Sequence, residues 1–277
     1  VCRRRPLCIR GGGVPVLLPP GYTASRANWM PVAERLKDRY RVILMECRGS
    51  GESEDTSDGY NLEQYTSDVV GMMDYLGITR FTYAGHSMGG GIGFLLAINH
   101  AARLDKLVLM APIPAGGGQG EPDPEYIEAR LKARRDNNRD FFKADMLATR
   151  FRPDVQTDDW FESRVDHLMR VSEGHLLGSM RSMFALRAAD KLAEINVPTM
   201  MLAGAVDALL ASNIEDYRAL PHATLQVFAH AGHEVAIHEP DGVSDAIDKF
   251  MQYGFAVSYT NETLTTPPSC CAAVGAG

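Results

Sequence analysis

The sequence predicts a doubly wound α/β domain with a mostly parallel sheet, helices on both faces and one helical insertion. Three observations carry this expectation. Short, almost wholly apolar runs recur along the chain, as strands buried on both faces of a parallel sheet require. Longer stretches with apolar residues at helical spacing lie between them. One interval, residues 112–196, has no such run and breaks the alternation.

The strand-like runs are Val14–Leu18, Arg41–Met45, Arg80–Ala84, Lys106–Met110, Thr199–Ala203 and Thr224–Phe228. Each ends in loop-forming residues, often Gly or Pro. Helices are predicted over Pro31–Arg39, Leu62–Leu76, Met88–Ala102, Ile214–Leu220 and Val243–Tyr253. The second has Tyr65, Val69, Met72, Met73 and Leu76 on one stripe. The interrupting interval opens with Pro112-Ile113-Pro114-Ala115 and three glycines, then carries charged helical patterns at Tyr126–Asp140 and Phe161–Val171. It is expected to roof one end of the sheet as a lid. Residues 1–111 and 197–257 then form the core domain. Residues 258–277 are rich in Thr, Pro, Cys, Ala and Gly without periodicity, and a disordered tail is expected there.

Bulk properties narrow the function. A length of 277 residues suits one large domain or two modest ones. The formal net charge of -7 argues against a general nucleic-acid binder, and the basic run Arg3-Arg4-Arg5 reads as a solvated terminus. No apolar stretch is long enough to span a bilayer, and no secretory leader is visible. The five cysteines, Cys2, Cys8, Cys47, Cys270 and Cys271, are odd in number and lack zinc-site spacing. A reducing, cytoplasmic setting is expected. The triplet Asn261-Glu262-Thr263 matches a glycosylation acceptor but sits in the tail.

The chemistry centres on Gly85-His86-Ser87-Met88-Gly89, a G-x-S-x-G pentapeptide. A chance match in a chain of this length has odds of roughly one in ten, so its context decides. The match follows an apolar strand and opens a helix, as a sharp turn that lifts a serine hydroxyl above a sheet demands. Side chains two residues either side of Ser87 would collide, hence the glycines. The Met88 N–H then faces a developing oxyanion. The rival reading is a glycine-rich turn with an incidental serine.

A serine hydroxyl needs a base, and the base an orienting acid. His233, in the loop after the last strand, is the best base; His230 and His238 are rivals, and His86 is expected to be packing or pocket wall. Spacing around His230, His233 and His238 lacks the H-E-x-x-H pattern of a helical zinc site. Asp207, after the strand Thr199–Ala203, is the best acid, since the loop after Lys106–Met110 offers no carboxylate. Its alternative role is a helix N-cap. A second oxyanion donor should come from the loop Pro19-Pro20-Gly21-Tyr22, where Tyr22 can supply an N–H and the prolines cannot.

From about Leu7 to Phe250 the chain resembles the α/β-hydrolase superfamily, in its single-cap, esterase-like branch of serine hydrolases. The resemblance rests on Gly21-Tyr22, Arg48-Gly49-Ser50-Gly51-Glu52-Ser53, Gly85–Gly90, Gly204 with Asp207, and Gly232-His233. It implies cleavage of small to medium carboxylic esters or lactones through an acyl-enzyme, with no metal or organic cofactor. Carbon–carbon bond hydrolysis, haloperoxidase-type perhydrolysis, thioester cleavage or a lyase reaction could use the same triad. A slow ligand receptor is the third possibility. Three departures stand out. Pro20 replaces the usual His before the oxyanion-loop glycine, Glu46 replaces the usual Asp, and the usual first antiparallel strand is expected to be largely missing. Ser87 argues against epoxide hydrolases and haloalkane dehalogenases, which carry Asp at that position.

Overall fold

The computed structural model describes residues 7–148 and 150–254. The expected tail, Arg3-Arg4-Arg5, Cys2, Cys270, Cys271 and the Asn261 triplet lie outside the described residues.

Among the described residues there are seven strands: β1 (Leu7–Arg10), β2 (Pro15–Leu18), β3 (Arg41–Met45), β4 (Phe81–His86), β5 (Leu104–Met110), β6 (Thr199–Gly204) and β7 (Ala223–Phe228). They form one sheet in the order β1-β3-β2-β4-β5-β6-β7. Every neighbouring pair is parallel except β1 with β3.

That edge pair corrects the expectation of a missing first strand. Leu7 pairs with Met45 and Arg10 with Val42 in antiparallel register. The strand lacks the sequence signal of the others because it is only partly buried and carries Cys8 and Arg10. Its turn into β2 depends on Gly11, at φ +71°, where a Cβ would lie 1.9 Å from the Lys37 carbonyl oxygen.

The helices are α1 (Met30–Leu36), α2 (Leu62–Tyr75), α3 (Met88–Asn99), α4 (Pro124–Arg135), α5 (Arg139–Leu147), α6 (Asp158–Leu168), α7 (Glu173–Ala185), α8 (Leu210–Ala219), α9 (Val235–His238) and α10 (Pro240–Tyr253). Strand alternation divides the core into two layers. Leu17, Ile43 and Tyr83 face Tyr65, Val69, Ile92 and Phe94 of α2 and α3. Val16, Leu18, Val42 and Leu44 face Val32, Leu36, Ile247 and Phe250 of α1 and α10. The doubly wound arrangement follows directly from these opposed apolar sets.

The interval between β5 and β6 holds α4 to α7. The predicted helix Tyr126–Asp140 is two helices, because Asn137 takes a left-handed φ of 53° and ends the first. Asp123, Asn138, Thr157 and Ser172 each cap a helix by accepting a backbone N–H. The unanticipated α7 contains Gly174 and Gly178, residues that disfavour a helix interior. A Cβ on either would meet Tyr60, at 2.2 and 2.6 Å.

The insertion has a closed root. Ala188 N–H donates to the Ala115 carbonyl at 2.8 Å, and Gly118 N–H to that of Phe184 at 3.2 Å. From α8, Asp216 accepts the Ala115 N–H at 2.9 Å and Asn213 donates to the Pro112 carbonyl at 2.8 Å. Burial pushes the Asp216 carboxyl up to about 6.

Candidate active site

The chain crosses from β3 back over β2 to reach β4, so the strand order reverses between β2 and β4. Crevices at such a switch point, outside the carboxyl ends of the strands, are where doubly wound sheets bind ligands. The loops after β2, β4, β6 and β7 carry the four segments singled out from the sequence.

Ser87 stands between β4 and α3 at φ 53° and ψ -113°, a backbone conformation that costs an L-residue about 1–3 kcal/mol. Its surroundings hold it there. Ser87 N–H donates to the Met110 carbonyl at 3.0 Å, and its own carbonyl accepts from Gly90 at 2.8 Å and Ile113 at 3.1 Å. A Cβ on Gly85 would lie 2.2 Å from the Gly89 carbonyl oxygen, and one on Gly90 2.5 Å from Pro112 Cβ. The turn therefore closes only with glycine on both sides.

The structure brings Ser87, His233 and Asp207 into one line. Ser87 Oγ lies 2.9 Å from His233 Nε2, and His233 Nδ1 lies 2.9 Å from Asp207 Oδ2. The carboxylate fixes the tautomer: Nδ1–H donates to Asp207, which leaves Nε2 to accept from the serine hydroxyl. Burial favours a neutral imidazole, but the Asp207 bond and charge outweigh it and raise the His233 pKa above its ordinary value. Burial likewise opposes the charge on Asp207, but the hydrogen bond and charge of His233 outweigh it and hold the carboxyl below its ordinary value. Asp207 Oδ1 also accepts the Leu209 N–H at 3.0 Å. This second bond closes a loop turn ahead of α8, whose cap position is Leu209 without a side-chain cap, so Asp207 does not act as the helix N-cap.

The rival histidines lie elsewhere. His230 is exposed on the loop after β7. His238 Nδ1 accepts the Gly232 N–H at 3.0 Å. His86 is more than wall: its Nε2 lies 2.9 Å from the His233 carbonyl oxygen, and the two rings are 4.9 Å apart. A carbonyl only accepts, so His86 carries its proton on Nε2. Burial first, then the neighbouring His233, push the His86 pKa down to about 4, which keeps it neutral beside the base.

The β2 loop comes equally close. A Cβ on Gly21 would lie 3.0 Å from Ser87 Cβ and 3.2 Å from His86 Nδ1. Pro19 anchors this loop through its carbonyl, which accepts Trp29 Nε1–H at 2.8 Å. Pro20 leaves the close approach intact. Among the described residues, the N–H groups of Tyr22 and Met88 donate to no protein acceptor. The Tyr22 ring points away into the insertion, where its hydroxyl donates to the Leu176 carbonyl at 2.7 Å and its face stacks on His175. Glu46, in place of the usual Asp, accepts the Glu52 N–H at 2.9 Å.

Sequence reasoning missed the charged groups behind the site. Glu234 accepts from Asn28 Nδ2 at 2.6 Å and lies 3.8 Å from Arg164 Nη2. Arg164 Nη1 donates to the Thr23 carbonyl at 3.3 Å. Burial opposes the Glu234 charge, and Arg164 is the first of the groups that outweigh it and lower its pKa. Adjacency to His233 could have flagged Glu234; nothing local marks Arg164. A cavity of about 620 Å³ abuts the Asp207–His233 pair, walled by Phe151, Gln156, Val206, Leu209 and His238. Among the described residues, no three His, Cys, Asp or Glu side chains converge as metal ligands, and no helix is long and apolar enough to cross a membrane.

Comparison with known proteins adds four findings. Residues 14–240 match the family described as alpha/beta hydrolase fold. A putative carbamate hydrolase, RutD, of Caulobacter sp. (strain K31) is 28% identical over 252 residues, covering 85% of this chain and 90% of that protein. Among solved structures, the enol-lactonase of Burkholderia xenovorans LB400 superposes with a TM-score of 0.78 at 24% identity, covering 89% of this chain and 95% of the other. A thermophilic esterase of Thermogutta terrifontis superposes with a TM-score of 0.77 at 25% identity, covering 90% and 93%.

Proposed function

We propose that this chain, which belongs to the alpha/beta hydrolase fold family, is a serine hydrolase that cleaves a carboxylic ester or lactone through an acyl-enzyme. The observation that carries the reading is the unbroken line of two 2.9 Å contacts from Ser87 through His233 to Asp207. The printed names of its relatives, a carbamate hydrolase, an enol-lactonase and an esterase, are consistent with hydrolysis at a carbonyl carbon.

In the proposed mechanism His233 Nε2 takes the Ser87 proton as Oγ attacks the carbonyl carbon. The tetrahedral oxyanion sits between the N–H groups of Tyr22 and Met88, neither of which donates to a protein acceptor among the described residues. Asp207 stabilises the imidazolium so formed. His233 then returns its proton to the leaving oxygen as the carbon–oxygen bond breaks. A water molecule, deprotonated by His233, attacks the acyl-enzyme, and Ser87 regains its proton as the acid leaves. In a lactone the leaving oxygen stays tethered to the acyl group. The insertion acts as a lid, because Leu176 and Arg164 hold the loop that presents the Tyr22 N–H.

Turnover of p-nitrophenyl esters from C2 to C12, wild type beside Ser87→Ala, tests this. Wild-type hydrolysis that falls about a million-fold in the variant is expected. A folded wild type inert towards every ester, or a variant as active as the wild type, refutes it.

A further inference from the structure

The insertion carries two arginines down onto the core. The Arg130 side chain, on α4, is 7% exposed and that of Arg164, on α6, is 11% exposed. Arg164 bonds the Thr23 carbonyl on one side and faces Glu234 on the other. It therefore spans the loops after β2 and β7, the two loops that touch Ser87 through Gly21 and His233. Arg130 stands beside the Tyr22 phenol, whose charged form it favours against burial. Its helix neighbours Ile127 and Leu131 pack with Tyr22 in one cluster.

Neither guanidinium is fully matched. Arg130 Nη1 is occupied by Tyr126 Oη at 2.9 Å and Asp145 at 2.6 Å, and the nearest Arg164 contact to a carboxylate is a loose 3.8 Å. The Nε–H of each is buried without an acceptor among the described residues. Burial opposes the Arg164 charge, Glu234 favours it, and Arg130 adds a smaller repulsion. Folding thus leaves two buried guanidinium groups at the lid–core contact, each facing a carboxylate and each with an unused Nε–H. A planar, two-oxygen anion is the chemistry that relieves such an arrangement, since each carboxylate oxygen can accept from a guanidinium edge.

We propose that the substrate bears a free carboxylate on its acyl portion, held between Arg130 and Arg164 while Ser87 attacks the ester or lactone carbonyl. The acyl portion is specified because the leaving oxygen must face His233 Nε2, whereas Arg130 stands on the Tyr22 side. The proposal rests on the serine-hydrolase reading for its chemistry but not for its binding site.

The test compares p-nitrophenyl hydrogen succinate with p-nitrophenyl butyrate, which has a methyl group where the first has a carboxylate. The wild type should favour the succinate by about ten-fold or more in kcat/KM, mainly through KM, as one charge-assisted contact supplies. Arg130→Met and Arg164→Met should each bring that ratio close to one, and Arg130→Lys should restore part of it. A wild-type ratio at or below one overturns the proposal, as do variants that slow both esters alike and keep the ratio. If no ester is turned over, the Ser87 reading fails separately. Calorimetric titration with glutarate then decides the anion site: millimolar binding that disappears in Arg130→Met sustains it, and no binding to the wild type overturns it.

Discussion

The loops at the carboxyl end of the sheet and the helical insertion above them are held by different forces. In the turn around Ser87 the backbone is tied to β5 and to the Gly90 and Ile113 N–H groups, and Gly85, Gly89 and Gly90 have no room for a Cβ. The insertion has two small apolar clusters, Leu131, Val171 and Leu176, and Ala133, Phe142 and Leu168. Its outer surface adds half-exposed ion pairs, such as Arg139 with Glu162 and Asp166, and Lys143 with Glu162. Pairs of that kind contribute little in water. Geometry that must not vary is thus built on close packing. The insertion, proposed to select the substrate, is a softer layer docked by polar contacts.

The largest effect expected from this contrast is at the rigid end. Asp207→Asn should lower kcat by about 10⁴-fold, because the amide favours the wrong His233 tautomer. The pH profile gives an independent reading. Only neutral His233 accepts the serine proton, and Asp207 raises its pKa. Wild-type kcat/KM should therefore rise with pH through an inflection above 6.5, and in Asp207→Asn that inflection should move down. An unchanged inflection would mean that Asp207 does not act on His233.

Next in size, Phe142→Ala should destabilise the insertion by about 3 kcal/mol. Hydrogen exchange should show α4, α5 and α6 losing protection while β4 and β5 keep theirs. Equal loss in both would erase the distinction between the layers. His86→Phe removes the donor that fixes the His233 carbonyl. A hundred-fold fall in kcat, or about that, is the expected cost of a shifted base, with hydrogen exchange in the insertion unaffected. The smallest effect belongs to Glu162→Gln, which breaks exposed pairs to Arg139 and Lys143. Thermal unfolding should not move measurably; a clear fall in Tm would show that the ion pairs, not the apolar clusters, hold the insertion together.

Much of the rigid layer was legible in the chain, because its constraints are local. Five-residue apolar runs and glycine at 85 and 89 follow from packing rules that act over a few residues, while Asp207 and His233 were reached through the loops after their strands and the Ser, Asp, His order of the hydrolase pattern. The strand ends moved slightly: β4 runs on to His86, which still pairs in register with Met110. The insertion was half legible. Its helices α4 and α7 are only weakly amphipathic, one boundary hangs on Asn137 in a left-handed turn, and the glycines of α7 make sense only against Tyr60. The Arg164–Glu234 contact and the His86–His233 bond join residues 70 and 147 positions apart, with no pattern in sequence to betray them. Edge strand β1 escaped notice because an edge needs only one buried face.

The root of the insertion bears on how such proteins diversify. Ala115 and Ala188 are hydrogen-bonded neighbours, so the sheet meets the intervening residues as a single closed loop. Chain between two points already held together can lengthen, shorten or be exchanged at modest entropic cost to the rest of the fold. Asn213 and Asp216 clamp the entry side of that junction from α8, on the core's own account. The insertion is in this sense a replaceable cassette, and under the proposed function its exchange between related chains would change substrate range without altering the loops that hold Ser87, Asp207 and His233.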